Sequence, residues 1–160
     1  MNAVAASESF AITSAGLLDL WAIWRVGRAA FGSDAYDMLT LLGMMLTPRI
    51  VCLKATSNRR VIGFVASEIN AREGCGWIVM IAVHPDSQGR GIGTALLHAA
   101  ECALGAERIR LTVRRSNVRA IGLYERCGYV WVNTFRRYYH DGEDGLVMEK
   151  QLGHARNGRS

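Results

Sequence analysis

Hydrophobic and polar positions along this chain change their period several times, and each change marks a predicted element. Phe10-Ala11-Ile12-Thr13 reads as a short strand. Leu17, Leu20, Trp21 and Trp24 then recur at helical spacing through residues 17–31, with Arg25 and Arg28 on the other side. Gly32-Ser33-Asp34 punctuates that helix, and Ser33 or Asp34 is expected to cap a second one running to about Leu46. Pro48 stops it. Three apolar runs follow, residues 50–55, 61–69 and 77–83, separated by Ser57-Asn58-Arg59-Arg60 and by Glu73-Gly74-Cys75-Gly76. Consecutive strands joined by short turns predict an antiparallel meander.

Beyond the third run the helical period returns. Ile92, Leu96, Ala99 and Ala103 make one face of a helix, with Glu101 on the opposite face and Gly105 at its end. Residues 108–114 alternate basic and apolar side chains, as a half-buried strand does. A helix separates this strand from the previous one, so the two are expected to run parallel through a right-handed crossover. Ser116-Asn117 caps a further helix, from Val118 to about Cys127, closed by Gly128. Tyr129-Val130-Trp131-Val132 opens a strand that continues toward Arg137, residues 138–145 connect, and Leu146-Val147-Met148-Glu149 closes the fold. The expectation is an α/β (α+β) single domain over residues 1–152, with a mixed, mostly antiparallel sheet of about seven strands and about four helices. Residues 1–8 are expected to be loosely held and 153–160 to form a disordered basic tail.

Composition narrows the class. At 160 residues, 50% apolar and 21% charged, the chain is one globular domain. The net charge of +5 is almost wholly arginine, since Lys54 and Lys150 are the only lysines, and those arginines are scattered. An anionic cofactor fits that distribution better than nucleic acid. The apolar run 39–46 is too short to span a bilayer, and no signal-peptide pattern opens the chain, so no membrane partner is expected. Cys52, Cys75, Cys102 and Cys127 show no CxxC spacing and no paired histidines nearby, which excludes a metal or redox motif. Cys102 and Cys127 are expected to be small buried thiols, and reduced thiols imply a cytoplasmic location. A monomer and a homodimer fit the pattern equally.

The chemistry lies where the third strand meets the helix, at residues 78–94. A β-branched run ends at His84-Pro85, and the glycine-rich Gln88-Gly89-Arg90-Gly91-Ile92-Gly93-Thr94 opens directly into a helical pattern. Glycines admit a ligand close to backbone N–H groups, the helix N-terminus adds partial positive charge, and Arg90 adds a full one; this is an anion cradle. A Walker loop is excluded because no lysine precedes Thr94. A dinucleotide fingerprint is excluded by spacing, with Thr94 where the last glycine belongs.

Gln88-Gly89-Arg90-Gly91-Ile92-Gly93, following Val83-His84-Pro85, resembles the loop of the GNAT N-acetyltransferases. Residues 113–129 are similar to that superfamily's N-x-x-A-x-x-x-Y-x-x-x-G-F/Y motif, through Asn117, Ala120, Tyr124, Gly128 and Tyr129. The ending Tyr138-Tyr139-His140-Asp141-Gly142-Glu143-Asp144-Gly145 resembles the branch acting on protein N-terminal α-amines, including the ribosomal-protein alanine acetyltransferases. The resemblance covers roughly residues 17–152 and is strongest from Trp77 onward.

That resemblance implies acetyl-coenzyme A as co-substrate, with no metal. The strand carrying Ile81, Ala82 and Val83 would splay from its parallel neighbour and bond the pantetheine arm, while the loop from Gln88 to Thr94 holds the pyrophosphate. Asn117 would contact the coenzyme, cap a helix, or both. Tyr124 would be the general acid for the departing thiolate; its helical spacing with Ile121 and Cys127 equally fits a core tyrosine. Related enzymes carry a glutamate or histidine five residues before the asparagine, where this chain has Thr112. Glu68 is the best substitute base, and a water chain is the alternative, because an α-amine has a pKa of only about 8. His84 reads as a loop residue. Phe31 and Tyr36 from one loop, with Tyr138 and Tyr139 from another, would frame the acceptor entrance. The implied activity is direct acetyl transfer to a protein or peptide N-terminus; the alternatives are a small amine, a lysine side chain, or coenzyme binding without turnover.

Overall fold

A computed structural model describes residues 9–153; the expectations for residues 1–8 and 154–160 lie outside it. In chain order the elements are β1 (Ala11–Ser14), a 3-10 turn (Leu17–Asp19), α1 (Leu20–Phe31), a second 3-10 turn (Gly32–Asp34), α2 (Met38–Leu46), β2 (Ile50–Ser57), β3 (Arg60–Asn70) and β4 (Cys75–Val83). A third 3-10 turn (Pro85–Ser87), α3 (Ile92–Leu104), β5 (Arg108–Arg114), α4 (Val118–Arg126), β6 (Val130–Phe135) and β7 (Gly145–Gln151) complete the fold. The strands form one seven-stranded sheet in the order β1-β2-β3-β4-β5-β7-β6. Every neighbouring pair is antiparallel except β4 and β5, which run parallel with α3 as their crossover.

Two apolar layers cover the sheet. On one face Ile92, Leu96, Leu97 and Ala100 of α3 pack on Val65, Ile78, Ile109 and Leu111, and Tyr124 of α4 joins the same cluster. On the other, Ile23 and Val26 of α1 and Leu41 of α2 pack on Phe64 and Ala82. Alternation puts successive side chains of one strand into different layers: Phe64 faces α1 while Val65 faces α3. Gly63 lets α3 approach β3, since a Cβ there would lie 3.0 Å from Leu96 Cδ1 and 3.0 Å from the Ala82 carbonyl oxygen.

Three expectations need correction. The cap of α2 is Asp37, whose carboxylate accepts from the Thr40 amide and hydroxyl, both at 2.9 Å, and not Ser33 or Asp34. Those two residues belong to a separate 3-10 turn that ends before extended Ala35. Glu101 is 4% exposed and lies on the buried stripe of α3, between Leu97 and Leu104, with Lys150 Nζ 2.9 Å away. Burial of a carboxylate is tolerated because its charge is matched there. The stripe turns Cys102 and Ala103 outward, so the Cys102 thiol is exposed; Cys127 is half-buried.

Leu96 is fully buried, so Leu96→Ala should cost about 2–5 kcal/mol in chemical denaturation, whereas Cys102→Ser should stay within about 0.5 kcal/mol.

Candidate active site

The site begins where β4 and β5 part. They pair at Gly76↔Ile109, Trp77↔Arg110 and Ile78↔Leu111 and then diverge, although β4 continues to Val83 and β5 to Arg114. The divergence coincides with a bulge: β3 pairs Ala66 with Met80 and Ser67 with Ile78, skipping Val79. The peptide groups of residues 79–83 that face β5 are thereby left without a strand partner.

A cleft of about 530 Å³ opens over this gap. Its walls hold Ile81, Ala82 and Val83 from β4, the loop residues Gln88, Gly89, Gly91, Ile92, Gly93 and Thr94, and Asn117 from the start of α4. Of the expected donor-site residues Arg90 alone is outside this lining; its side chain is half-buried. Gly89 and Gly91 have φ of 77° and 76°, a left-handed conformation that favours glycine, and a Cβ on either would point into open space. Gly91 caps α3 without any side-chain acceptor, so the first-turn amides of that helix remain available to a ligand. Free strand groups followed by a glycine cradle at a helix N-terminus match an extended amide-bearing arm that ends in a phosphoanhydride, as in acetyl-coenzyme A.

Gln88 turns inward. Its Nε2 donates to the Val83 carbonyl at 3.0 Å, and its Oε1 accepts from Arg119 Nη1 at 2.7 Å. Arg119 therefore lines the donor cleft, as does Arg126. Sequence reasoning missed both; their only signal is an arginine on each end of the short helix that follows Asn117.

A second cleft, of about 950 Å³, adjoins the first. Phe31, Tyr36, Tyr138 and Tyr139 line it, together with Thr112, Arg114, Asp34, Asp37 and His140. Tyr138 packs over Gly145, where a Cβ would lie 2.7 Å from Thr112 Cγ2 and 3.1 Å from the Tyr138 ring. Arg114 ties the two framing loops together: it reaches Asp34 at 2.8 Å on one side, Asp141 at 2.9 Å and Glu143 at 2.7 Å on the other, with Tyr139 stacked 4.0 Å from its guanidinium carbon. Burial is the main cause pushing the Tyr139 phenol up to about 12 and also raises Tyr36. Hydrogen bonds from the Ser116 side chain and amide, then from Arg114, hold the Glu143 carboxyl down to about 2.

Tyr124 lines both clefts and so stands at their junction. It is 7% exposed, and burial above all raises its phenol well over the ordinary tyrosine range. Asn117 also borders both clefts while its Oδ1 caps α4 by accepting from the Ala120 amide at 3.1 Å, so the capping role and the cleft position coexist. Glu68 lines neither cleft; it lies on β3 between Ile50 and Trp77. His84 caps the 3-10 turn through Nδ1, which accepts from the Asp86 amide at 3.3 Å. Among the described residues no helix is long and apolar enough to cross a membrane.

Comparison with known proteins agrees with this architecture. The model of the acetyltransferase (GNAT) family matches residues 19–129. The chain is 34% identical over 132 residues to the catalytic subunit NAA10 of the N-terminal acetyltransferase A complex of Arabidopsis thaliana, covering 78% of this chain and 69% of that one. It is 32% identical over 136 residues to the ribosomal protein bS18-alanine N-acetyltransferase of Salmonella typhimurium, covering 81% and 89%. The crystal structure of the ribosomal-protein-S18-alanine N-acetyltransferase from Escherichia coli superposes with a TM-score of 0.82 at 28% identity, over 95% of this chain and 99% of that one.

The depressed Glu143 carboxyl stabilises the folded state fully above the ordinary value of 4.5, and that contribution is lost as pH falls through about 2. Thermal melts of Glu143→Gln should therefore show a lower Tm at neutral pH and a shallower decline between about pH 5 and pH 2 than the parent.

Proposed function

The chain belongs to the acetyltransferase (GNAT) family, and from that premise we propose that it transfers acetyl from acetyl-coenzyme A directly to the α-amine of a protein or peptide N-terminus in the cytoplasm. The observation that carries this reading is Tyr124, which borders the donor and acceptor clefts at once. The acceptor class is supported by the relatives named for N-terminal and bS18-alanine acetylation and by the tyrosine-lined slot, whose hydroxyls can bond a peptide backbone. The location is supported by four cysteines of which none is joined in a disulfide.

When bound, acetyl-coenzyme A supplies a thioester carbonyl that the amine attacks, with cleavage of the C–S bond. The β4 edge at residues 79–83 orients the arm, and the amides of Gly89 to Thr94 with the α3 N-terminus offset the phosphate charge. Tyr124 donates its O–H to the departing sulfur. Its raised pKa keeps that proton in place throughout neutral pH, so the resting phenol is an acid, and the phenolate left after transfer regains its proton from the one the attacking nitrogen sheds, through solvent. The phenol makes no hydrogen bond among the described residues that would compete with this role. Neither expected base position serves, since Thr112 offers no titratable group and Glu68 borders neither cleft, and deprotonation through solvent suits an α-amine that at about 8 is already partly neutral.

Tyr124→Phe should lower kcat by about 10²-fold or more and leave coenzyme affinity by calorimetry unchanged. Turnover in kcat/KM for the acceptor should rise with pH to a plateau above about 8, the pKa of the free amine, and Glu68→Gln should leave that profile in place. Gly91→Ala forces an L side chain to φ of 76°, and should raise KM for acetyl-coenzyme A more than it lowers kcat. Labelled acetyl-coenzyme A offered with a library of free-N-terminus peptides, Nα-blocked lysine peptides and small amines tests the acceptor. Label on the α-amines alone is the expected result; label only on lysine or small amines would refute the acceptor class, and no thiol release with any of them would refute transfer itself.

A further inference from the structure

Beneath Tyr124 lies a polar cluster that neither cleft uses. The Glu101 carboxylate accepts from the Tyr129 hydroxyl at 2.8 Å and from Lys150 Nζ at 2.9 and 3.1 Å, and His98 Nδ1 is 3.2 Å away. Glu101 is 4% exposed and Tyr129 1%. Apolar residues of similar size at such positions are often no less stabilising than a buried ion pair. A role beyond stability is therefore the question, and connectivity answers it. Glu101 sits on α3, the helix whose N-terminus forms the anion cradle; Lys150 comes from β7, where it pairs opposite Ile109 of β5; Tyr129 lies in the short turn between α4 and β6.

Tyr129 touches Tyr124 in two ways. Its amide donates to the Tyr124 carbonyl at 3.0 Å, and its ring lies 6.0 Å from the Tyr124 ring at an interplanar angle of 60°. The far end of the Tyr129 ring is pinned by Glu101, and Glu101 is held by Lys150. The ring that Tyr124 leans on is thus fixed to the donor-binding helix, not to the acceptor loops. The Tyr124 hydroxyl has no hydrogen bond of its own among the described residues, so packing sets where it points.

We propose that Glu101 and Tyr129 are positioning residues that fix the Tyr124 hydroxyl relative to the coenzyme site, acting through the hydroxyl-to-carboxylate bond and the ring contact. The proposal rests on the reading that Tyr124 serves the departing sulfur. Misplacing such a group by a fraction of an ångström costs rate without costing ground-state affinity.

The test measures kcat, KM for acetyl-coenzyme A, calorimetric coenzyme A affinity and Tm for Tyr129→Leu, Tyr129→Phe, Glu101→Gln and Tyr124→Phe, and for Tyr129→Leu combined with Tyr124→Phe. Tyr129→Leu should lower kcat about tenfold or more with coenzyme affinity unchanged. Tyr129→Phe keeps the ring but loses the tether and should fall between that and the parent. Glu101→Gln still offers an oxygen to the Tyr129 hydroxyl and should hold kcat closer to the parent than Tyr129→Phe does. Adding Tyr129→Leu to Tyr124→Phe should cause no further loss of kcat, because the group being positioned is already gone. A purely structural role would lower Tm with kcat per folded enzyme unchanged, or would multiply with Tyr124→Phe; either result overturns the proposal. If Tyr129→Leu does not fold, Tyr129→Phe decides, and a parental kcat in that variant overturns it. Unchanged kcat in Tyr124→Phe would overturn the mechanism and this proposal together, whereas lowered kcat there with parental kcat in Tyr129→Leu overturns the positioning alone.

Discussion

Everything functional in this molecule depends on two parallel strands that stop pairing. β4 and β5 share three residue pairs and then separate, and a strand edge inside a sheet is an expensive thing to leave open, because each unpaired N–H or C=O must find another partner. The fold makes that edge useful by placing the glycine cradle one 3-10 turn beyond the end of β4 and α4 shortly after the end of β5. The same fork sets the donor cleft on one side and the acceptor cleft on the other, with Tyr124 between them.

The two clefts are held open by different physics. On the donor side the attraction is distributed over backbone amides, with Arg119 joined through Gln88 to the Val83 carbonyl at the rim. On the acceptor side a single guanidinium does the organising. Arg114 is 18% exposed and holds three carboxylates and one aromatic ring drawn from both framing loops. Surface ion pairs taken singly contribute little, but a planar guanidinium shared among several acceptors fixes the geometry of the loops it joins.

Much of this was legible in the chain, for identifiable reasons. Helical spacing located the four helices, alternation located β5, and continuous apolar runs located β2, β3 and β4, whose central residues are covered on both faces of the sheet. The cradle was readable because positive φ and close ligand approach demand glycine, as at Gly89 and Gly91. What could not be read depended on partners distant in sequence. Glu101 looks solvent-facing until Lys150, far along the chain, supplies its charge partner, and that same rotation of α3 exposes Cys102. Asp37 rather than Ser33 or Asp34 caps α2 because a 3-10 turn intervenes, and short turns leave no periodic trace. Arg119 and Arg114 took on roles only when the fold brought Gln88 and the two acidic loops to them.

The claim that the parted strands form the donor slot is tested most directly by amide hydrogen exchange on the whole protein, with and without acetyl-coenzyme A. Protection should rise in residues 79–83 of β4 and in the first turn of α3, while the Arg108–Arg114 strand keeps the exchange rates it has alone at its paired end. Unchanged exchange at 79–83 under saturating acetyl-coenzyme A would contradict the account, because the open edge would then have no part in holding the donor.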